Sequence, residues 1–409
     1  MIKQDVQCLR HLAAQYAEAA AHPRNLDNAR LYRAVNGLHM IRPVVLIDEQ
    51  PWSELNVDGI LDLYCTDPLF RHYELYLRQK LFQWHHHPAD MILPPYLSVM
   101  KIIGGEIGGL PVKERTLAID KDNQIVSHAY EDQLANESDI EKIKMPQVTY
   151  EKEKTEAIRD RLAEAIGDLL PVRITGHNCY ISQWDEIATY RGVTPLLIDL
   201  VERPSHSHAI MARVTEMFIE RYRQFEDLDL LEPEPYLIHC TPALCDDLKK
   251  PAKGEKTLRC HVWGRCMAQI FASVSPAMHD EFEIEYQKRT MEPFSLVYYG
   301  CCEPLDQKID IVRKIPHLRK ISVTPWADVK IAAEAIGKNY VLSAKPNPAH
   351  VAGSFDVTVI QKEMKAILDA CSKNGCSCEI ILKDISTVSR NPENLRKWEQ
   401  TVMDIVRAY

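Results

Sequence analysis

Apolar residues recur at two different spacings along this 409-residue chain. Near its start Val6, Leu9, Leu12 and Tyr16 fall three or four apart behind Asp5, a residue able to cap a helix, and this predicts a first helix. Leu69 to Trp84 is a second helical stretch, closed by His85, His86, His87 and then Pro88. Three consecutive histidines cannot all face one metal from a regular element, so structural or solvent-exposed roles are expected for them. From Ala89 onward short apolar runs rich in β-branched residues alternate with helical patterns, the signature of repeated strand–helix units. Eight strands are predicted: Met91–Leu93, Leu170–Thr175, Tyr236–Cys240, His261–Trp263 running on towards Phe271, Ser295–Tyr299, Lys320–Thr324, Tyr340–Ala344 and Cys378–Leu382. Asp328 to Ile336 sets Val329, Ala332, Ala333 and Ile336 on one helical face and stops at Gly337. Asn391 and Pro392 open a last helix carrying Leu395, Trp398, Val402 and Ile405, and Ser275 with Pro276 starts another in the same way.

The stretch from about 104 to 148 interrupts this rhythm with Gly-rich turns, a hairpin over Thr116 to Val126 and a charged run from Glu137 to Lys144. It reads as a long insertion after the first strand. The predicted fold is α/β: a (β/α)8 TIM barrel over residues 89–409, with an N-terminal helical segment, residues 1–88, packed on it. Such barrels carry their chemistry at the carboxyl ends of the strands. That rule picks out His177, His239, the segment Tyr299-Gly-Cys-Cys-Glu303, Lys345, Lys383 and Asp384.

Composition narrows the function classes. The chain is 46% hydrophobic and 26% charged, an ordinary globular balance that argues against disorder or coiled coil. A net charge of −9 offers no general attraction for nucleic acid or an anionic membrane, and neither partner is expected. No run reaches the ~20 apolar residues of a membrane span, and the first residues lack the apolar core of a secretory signal, so a cytoplasmic setting is expected. Twelve cysteines in 409 residues are too dilute for a disulfide scaffold. Most should be core thiols, including Cys376 and Cys378 at the start of a strand.

The densest chemistry lies at Tyr299–Glu303. A thiolate and a carboxylate at a strand end are donors that Zn²⁺ accepts. Adjacent strand residues point to opposite faces, so Cys301 is expected to look inward, with Glu303 on its side and Cys302 turned away.

The block Ser275-Pro-Ala-Met-His-Asp-Glu-Phe282, the strand Leu296-Val-Tyr-Tyr-Gly-Cys-Cys-Glu303, and Lys320-Ile-Ser-Val with Gly337 and its following strand together resemble the C-terminal half of the uroporphyrinogen decarboxylase superfamily. Arg42-Pro43-Val-Val and Pro51-Trp52-Ser-Glu54 look like its corrinoid-linked methyltransferase branch. Those methyltransferases carry a His-x-Cys-Gly motif and a late Cys that together hold zinc. Here Cys301 matches the motif's Cys, Tyr299 stands in the place of its His, and the late Cys has no clear counterpart, Lys383-Asp384 standing near its place. The resemblance implies a methyltransferase that demethylates a methoxylated or otherwise methylated small molecule and passes the methyl group to cobalamin carried by a partner corrinoid protein; it is also compatible with a homodimer. Under it, Cys301 and Glu303 would hold zinc, completed by Asp384 or His239. Tyr299, His177 or Lys383 would serve as proton donor or leaving-group stabiliser. The alternatives within the same resemblance are a decarboxylase of the uroporphyrinogen type, a methylcobalamin:thiol methyltransferase, and a barrel kept for binding alone.

Overall fold

The computed structural model describes residues 3–117 and 126–409. Seven strands make its central sheet: β1 (Val44–Ile47), β2 (Cys179–Ile181), β3 (Trp263–Cys266), β4 (Leu296–Tyr299), β5 (Leu318–Val323), β6 (Val341–Ala344) and β7 (Ser377–Leu382). Their order in space is β1-β7-β6-β5-β4-β3-β2. The first strand in the chain thus lies against the last, with Val44 opposite Glu379 and Ile47 opposite Leu382. Every pairing in this sheet is parallel, so all seven carboxyl ends share one rim. Between the strands the chain returns largely through helices, as parallel pairing requires.

The sheet differs from the expected eight-stranded closed barrel. Among the described residues no ladder joins its two edges, β1 and β2. Leu97–Met100 and Val172–Thr175 instead form a separate parallel pair. Met91–Leu93 is not a strand; the first strand is Val44–Ile47, inside the stretch expected to be helical. Leu170–Thr175 lies outside the central sheet, where Cys179–Ile181 takes the place, and Tyr236–Cys240 shrinks to an antiparallel bridge between Leu237–Ile238 and Thr241–Pro242. The physical reason is common to all three: an apolar run of three to six residues has no local mark of which partner it will pair with, and pairing is decided by distant chain. In the insertion Ile103–Glu106 pairs with Gln147–Tyr150 and Glu114–Leu117 with Ser127–Tyr130, both antiparallel. Most of the hairpin expected over Thr116 to Val126 falls on residues 118–125, outside the described residues.

Helix signals fare better because caps and periodicity are local. Asp328 accepts the amides of Lys330 and Ile331 and the helix Val329–Ile336 ends at Gly337. Ser275 caps Pro276–His279, and Glu393–Ala408 buries Leu395, Trp398 and Val402. The helices Lys3–Ala21 and Pro68–His86 pack together over a core of their own containing Leu9, Leu12, Tyr16, Phe70 and Leu77. Asp5 sits within the first of these, and its carboxylate accepts the amides of Thr66 and Asp67 rather than capping its own helix. His85 and His86 are exposed, while His87 is buried with a ring nitrogen 2.6 Å from Gln50 Oε1. Among the described residues no helix is long and apolar enough to cross a membrane.

The two faces of the sheet carry different chemistry. Val45, Cys266, Tyr299, Ile321, Leu342 and Ile380 face outward into the main hydrophobic core with the helices. Their alternates face inward: Leu46, Trp263, Tyr298 and Ile381, together with the buried polar residues Arg265, Lys320, Ser343 and Glu379. Residues of Ile238–Leu248 and of the helix Arg24–Asn36 fill this inner side. Trp263 Nε1 donates to the Ala243 carbonyl at 2.8 Å, and Lys320 Nζ to the Pro242 carbonyl at 2.9 Å and to Glu379 Oε2 at 2.7 Å.

Candidate active site

The carboxyl rim is where the site forms, and Gly300 sets its geometry. This residue ends β4 at φ +99°, and a Cβ there would stand 2.7 Å from Leu305 Cδ1, so the position needs glycine for both conformation and space. The turn breaks the strand's alternation. Cys301 and Cys302 therefore approach each other, their sulfurs 3.6 Å apart, whereas a continued strand would have separated them. Tyr299, expected among the reacting groups, points to the outer layer instead, its hydroxyl 2.7 Å from His279 Nε2 and 3.1 Å from Glu283 Oε2.

Around the Cys301 sulfur stand Lys383 Nζ at 3.5 Å and His239 Nε2 at 3.8 Å. Cys302 Sγ lies 3.3 Å from Asp384 Oδ2. The Lys383 ammonium is also 2.8 Å from Asp384 Oδ2 and 3.4 Å from Glu49 Oε2, and Glu49 Oε1 is 3.7 Å from His239 Nε2. Three of these residues, Glu49, His239 and Asp384, adopt left-handed backbone conformations with φ of 50°, 54° and 55°. Such conformations cost non-glycine residues about 1–3 kcal/mol each and gather at functional sites.

Charge is distributed unevenly within this group. Hydrogen bonding from Cys302, then His239 and the charges of Lys383 and Arg265, hold the Cys301 thiol well below its usual range despite burial. Cys302, hydrogen-bonded to Cys301 and partly buried, is pushed up. Burial opposes charge on Lys383, yet Cys301, Cys240 and Asp384 hold it above the normal lysine value. Burial and the adjacent Asp384 raise Glu49; Asp384 goes down in spite of burial, through Glu49 and Lys383. These directions favour a thiolate on Cys301 beside the Lys383 ammonium, with charge kept on Asp384 and a proton bound more readily by Glu49.

The residues expected to hold zinc do not fit that ion as they are arranged. Glu303 is buried, and its two oxygens accept the amides of Cys301 at 2.9 Å and Ala268 at 3.3 Å, which makes it the anchor of the strand ends. Asp384 is engaged by Lys383 and Cys302. The Lys383 ammonium, a cation on the residue nearest the place of the late Cys, lies against the sulfur that a metal would use. Among the described residues the one group of three His, Cys, Asp or Glu donors close enough to share an ion is Cys8, Cys65 and Glu74, and there Glu74 already accepts from Tyr64, Cys65 and Arg78.

His177 is not brought to the thiols. Its Nε2 lies 2.6 Å from the Lys101 carbonyl and its ring packs edge-on to Phe225. Two further residues of the rim had no motif to announce them. Glu49 follows β1, a strand that sequence reasoning did not find. Asp185 follows β2, and burial with the Glu303 charge lifts its carboxyl to about 7.

No family model matches the chain, and no curated protein matches it. Among solved structures, a methyltransferase from Methanosarcina mazei is similar, with a TM-score of 0.53, 12% sequence identity, and coverage of 92% of this chain and 98% of that one. At that identity the likeness is one of fold.

Proposed function

We propose that the protein is a methyltransferase that takes the methyl group of a methylated small molecule, such as a methyl ether or amine, and delivers it to the cobalt of a separate corrinoid protein. The observation that carries this reading is the pairing of Cys301 with Lys383, beside His239, on the carboxyl rim of a parallel sheet. The fold likeness to a methyltransferase supports it, as does the place of that rim at what would be the mouth of a (β/α)8 barrel.

A methyl group bound to oxygen or nitrogen transfers poorly until the charge left on its heteroatom is stabilised. The corrinoid cobalt, when the partner docks, supplies the nucleophile. This chain's residues supply the other half. The Lys383 ammonium is 4% exposed on its side chain and is held in place by Cys301, Asp384 and Glu49, so its charge acts in a poorly hydrated setting where it is worth most. Because Lys383 binds its proton tightly, its role is to stabilise the leaving heteroatom rather than to protonate it. Glu49, with its raised pKa, and His239, beside it, are the groups placed to hand over a proton.

The test incubates the purified chain with chemically reduced cobalamin and a panel of methoxylated aromatics, methylated amines and methyl thioethers, and measures methylcobalamin by chromatography. Methylcobalamin is expected from at least one donor class above the rate of free cobalamin, with a fall of about tenfold or more in Lys383→Met. A panel with no donor above background overturns the reading.

A further inference from the structure

Below the thiols, the inner face of the sheet holds two buried cations that share no ion pair with any acid of the described residues. Arg265 on β3 and Lys345 just beyond β6 are each 4% exposed. The Arg265 guanidinium carbon lies 5.6 Å from the centre of the Tyr298 ring, and Lys345 Nζ lies 5.8 Å from the same centre. One phenol is therefore flanked by both charges.

Their hydrogen bonding is incomplete. Arg265 Nη2 has a methionine sulfur, that of Met267, at 3.1 Å, and its buried Nε has no acceptor. Lys345 Nζ reaches the Ser343 hydroxyl at 2.6 Å. The buried Tyr298 hydroxyl has no partner. The nearby acids are already engaged: Glu379 by Lys320 and Ser343, Glu49 and Asp384 by Lys383. Among the described residues neither Arg265 nor Lys345 forms an ion pair.

A guanidinium carries five N–H donors and never gives up its charge, and a buried charge without a partner is strongly destabilising. Stacking on Tyr298 and Tyr180, whose ring centre is 5.7 Å from the Arg265 guanidinium carbon, offsets part of that cost. It leaves the Nε donor unmet and Nη2 with only a weak sulfur acceptor. Tyr180 is 39% exposed and its hydroxyl accepts the His239 amide at 2.9 Å, so the guanidinium lies behind a ring that is open to solvent and joined to the thiol cluster.

We propose that Arg265, Tyr298 and Lys345 form a receptor for an oxyanion of the substrate, a carboxylate or a phosphate, which places the methyl donor among methylated organic anions. A guanidinium fork receives either group through two parallel hydrogen bonds, with the phenol and the ammonium closing around it. The substrate assignment rests on the methyl-transfer reading; the binding of an oxyanion does not.

The test compares thermal unfolding and calorimetric binding of the full chain with sodium methoxyacetate and, separately, with inorganic phosphate, for wild type, Arg265→Met and Tyr298→Phe. Wild type is expected to unfold several degrees higher with one or both anions at millimolar concentration. Arg265→Met, which removes the guanidinium and its unmet donor at similar volume, should be at least as stable as wild type without anion and should not respond to it. Tyr298→Phe should weaken anion binding about fivefold, the worth of one hydrogen bond. A response to methoxyacetate alone assigns a carboxylate, a response to phosphate alone a phosphate ester. Wild type unmoved by both anions overturns the receptor, as does an anion response that survives unchanged in both variants. An anion response without methyl transfer would leave the receptor standing and sink only the methyl-transfer reading.

Discussion

The ammonium nitrogen of Lys383 stands 3.5 Å from the sulfur of Cys301, although 82 residues separate them in the chain. One follows β7 and the other β4, and the parallel sheet delivers both to the same rim. Each charge lowers the cost of burying the other.

The hydrogen bond from Cys302, with His239 and the Lys383 charge, makes reactivity at Cys301 insensitive to pH. The thiol's folded pKa lies far below its ordinary value, so the thiolate is already formed at pH 6 and does not increase towards pH 8. Alkylation of Cys301 by a small neutral reagent, followed by peptide mass spectrometry, should be flat over that range. In the double variant Cys302→Ala, Lys383→Met, which removes the leading hydrogen bond and the nearest cation, the thiol regains a higher pKa, and the rate at pH 6.5 should fall about tenfold for each unit by which it passes that pH. A wild-type rate that climbs tenfold per pH unit would show an ordinary thiol.

Metal content gives a second check. With Lys383 against Cys301 and Glu303 taken up by backbone amides, zinc measured by plasma mass spectrometry on protein purified without chelator should be far below one per chain. About one zinc per chain in wild type, lost in Cys301→Ser, would show that Lys383 yields its place to a metal.

Tyr299→Phe separates structure from catalysis. The hydroxyl lies in the outer layer with His279 and Glu283, so its loss should cost about 1–3 kcal/mol of stability in denaturant unfolding while the methyl-transfer rate stays unchanged. A large fall in rate with normal stability would return Tyr299 to the reacting groups.

The Lys320–Glu379 pair, 2.7 Å apart with both side chains fully buried, should be costly to break and cheap to replace. Glu379→Gln leaves a buried ammonium without its counter-charge and is expected to lose about 3–5 kcal/mol. The double variant Lys320→Met, Glu379→Leu should recover most of that loss. Equal destabilisation by the single and double variants would show that the charge balance is not what matters there.

Whatever is written within a few neighbouring residues was legible in the sequence. Asp328 and Gly337 bracket their helix as expected, the apolar spacing of the last helix matches its buried face, and β4 to β7 fall where β-branched runs predicted them. The convergence of Cys301, Lys383 and Asp384 on one rim followed from alternating strands and helices, because parallel strands must all end on the same side, whereas His239 reaches it from a short antiparallel bridge outside that sheet. Tertiary structure decided the rest. Val44–Ile47 and Met91–Leu93 are both short apolar runs, and only a ladder with Ser377–Leu382, more than 300 residues away, makes one of them a strand. Glu49 entered the site with that strand. Gly300 turned the chain one residue before the thiols, which undid the alternation that would have set Cys301 and Cys302 on opposite faces. Arg265 and Tyr298 read as ordinary strand positions until the sheet set them side by side. Periodicity and capping act within a few residues and can be read there, whereas pairing, the sense of a turn and the balance of buried charge depend on groups that meet only when the chain has closed on itself.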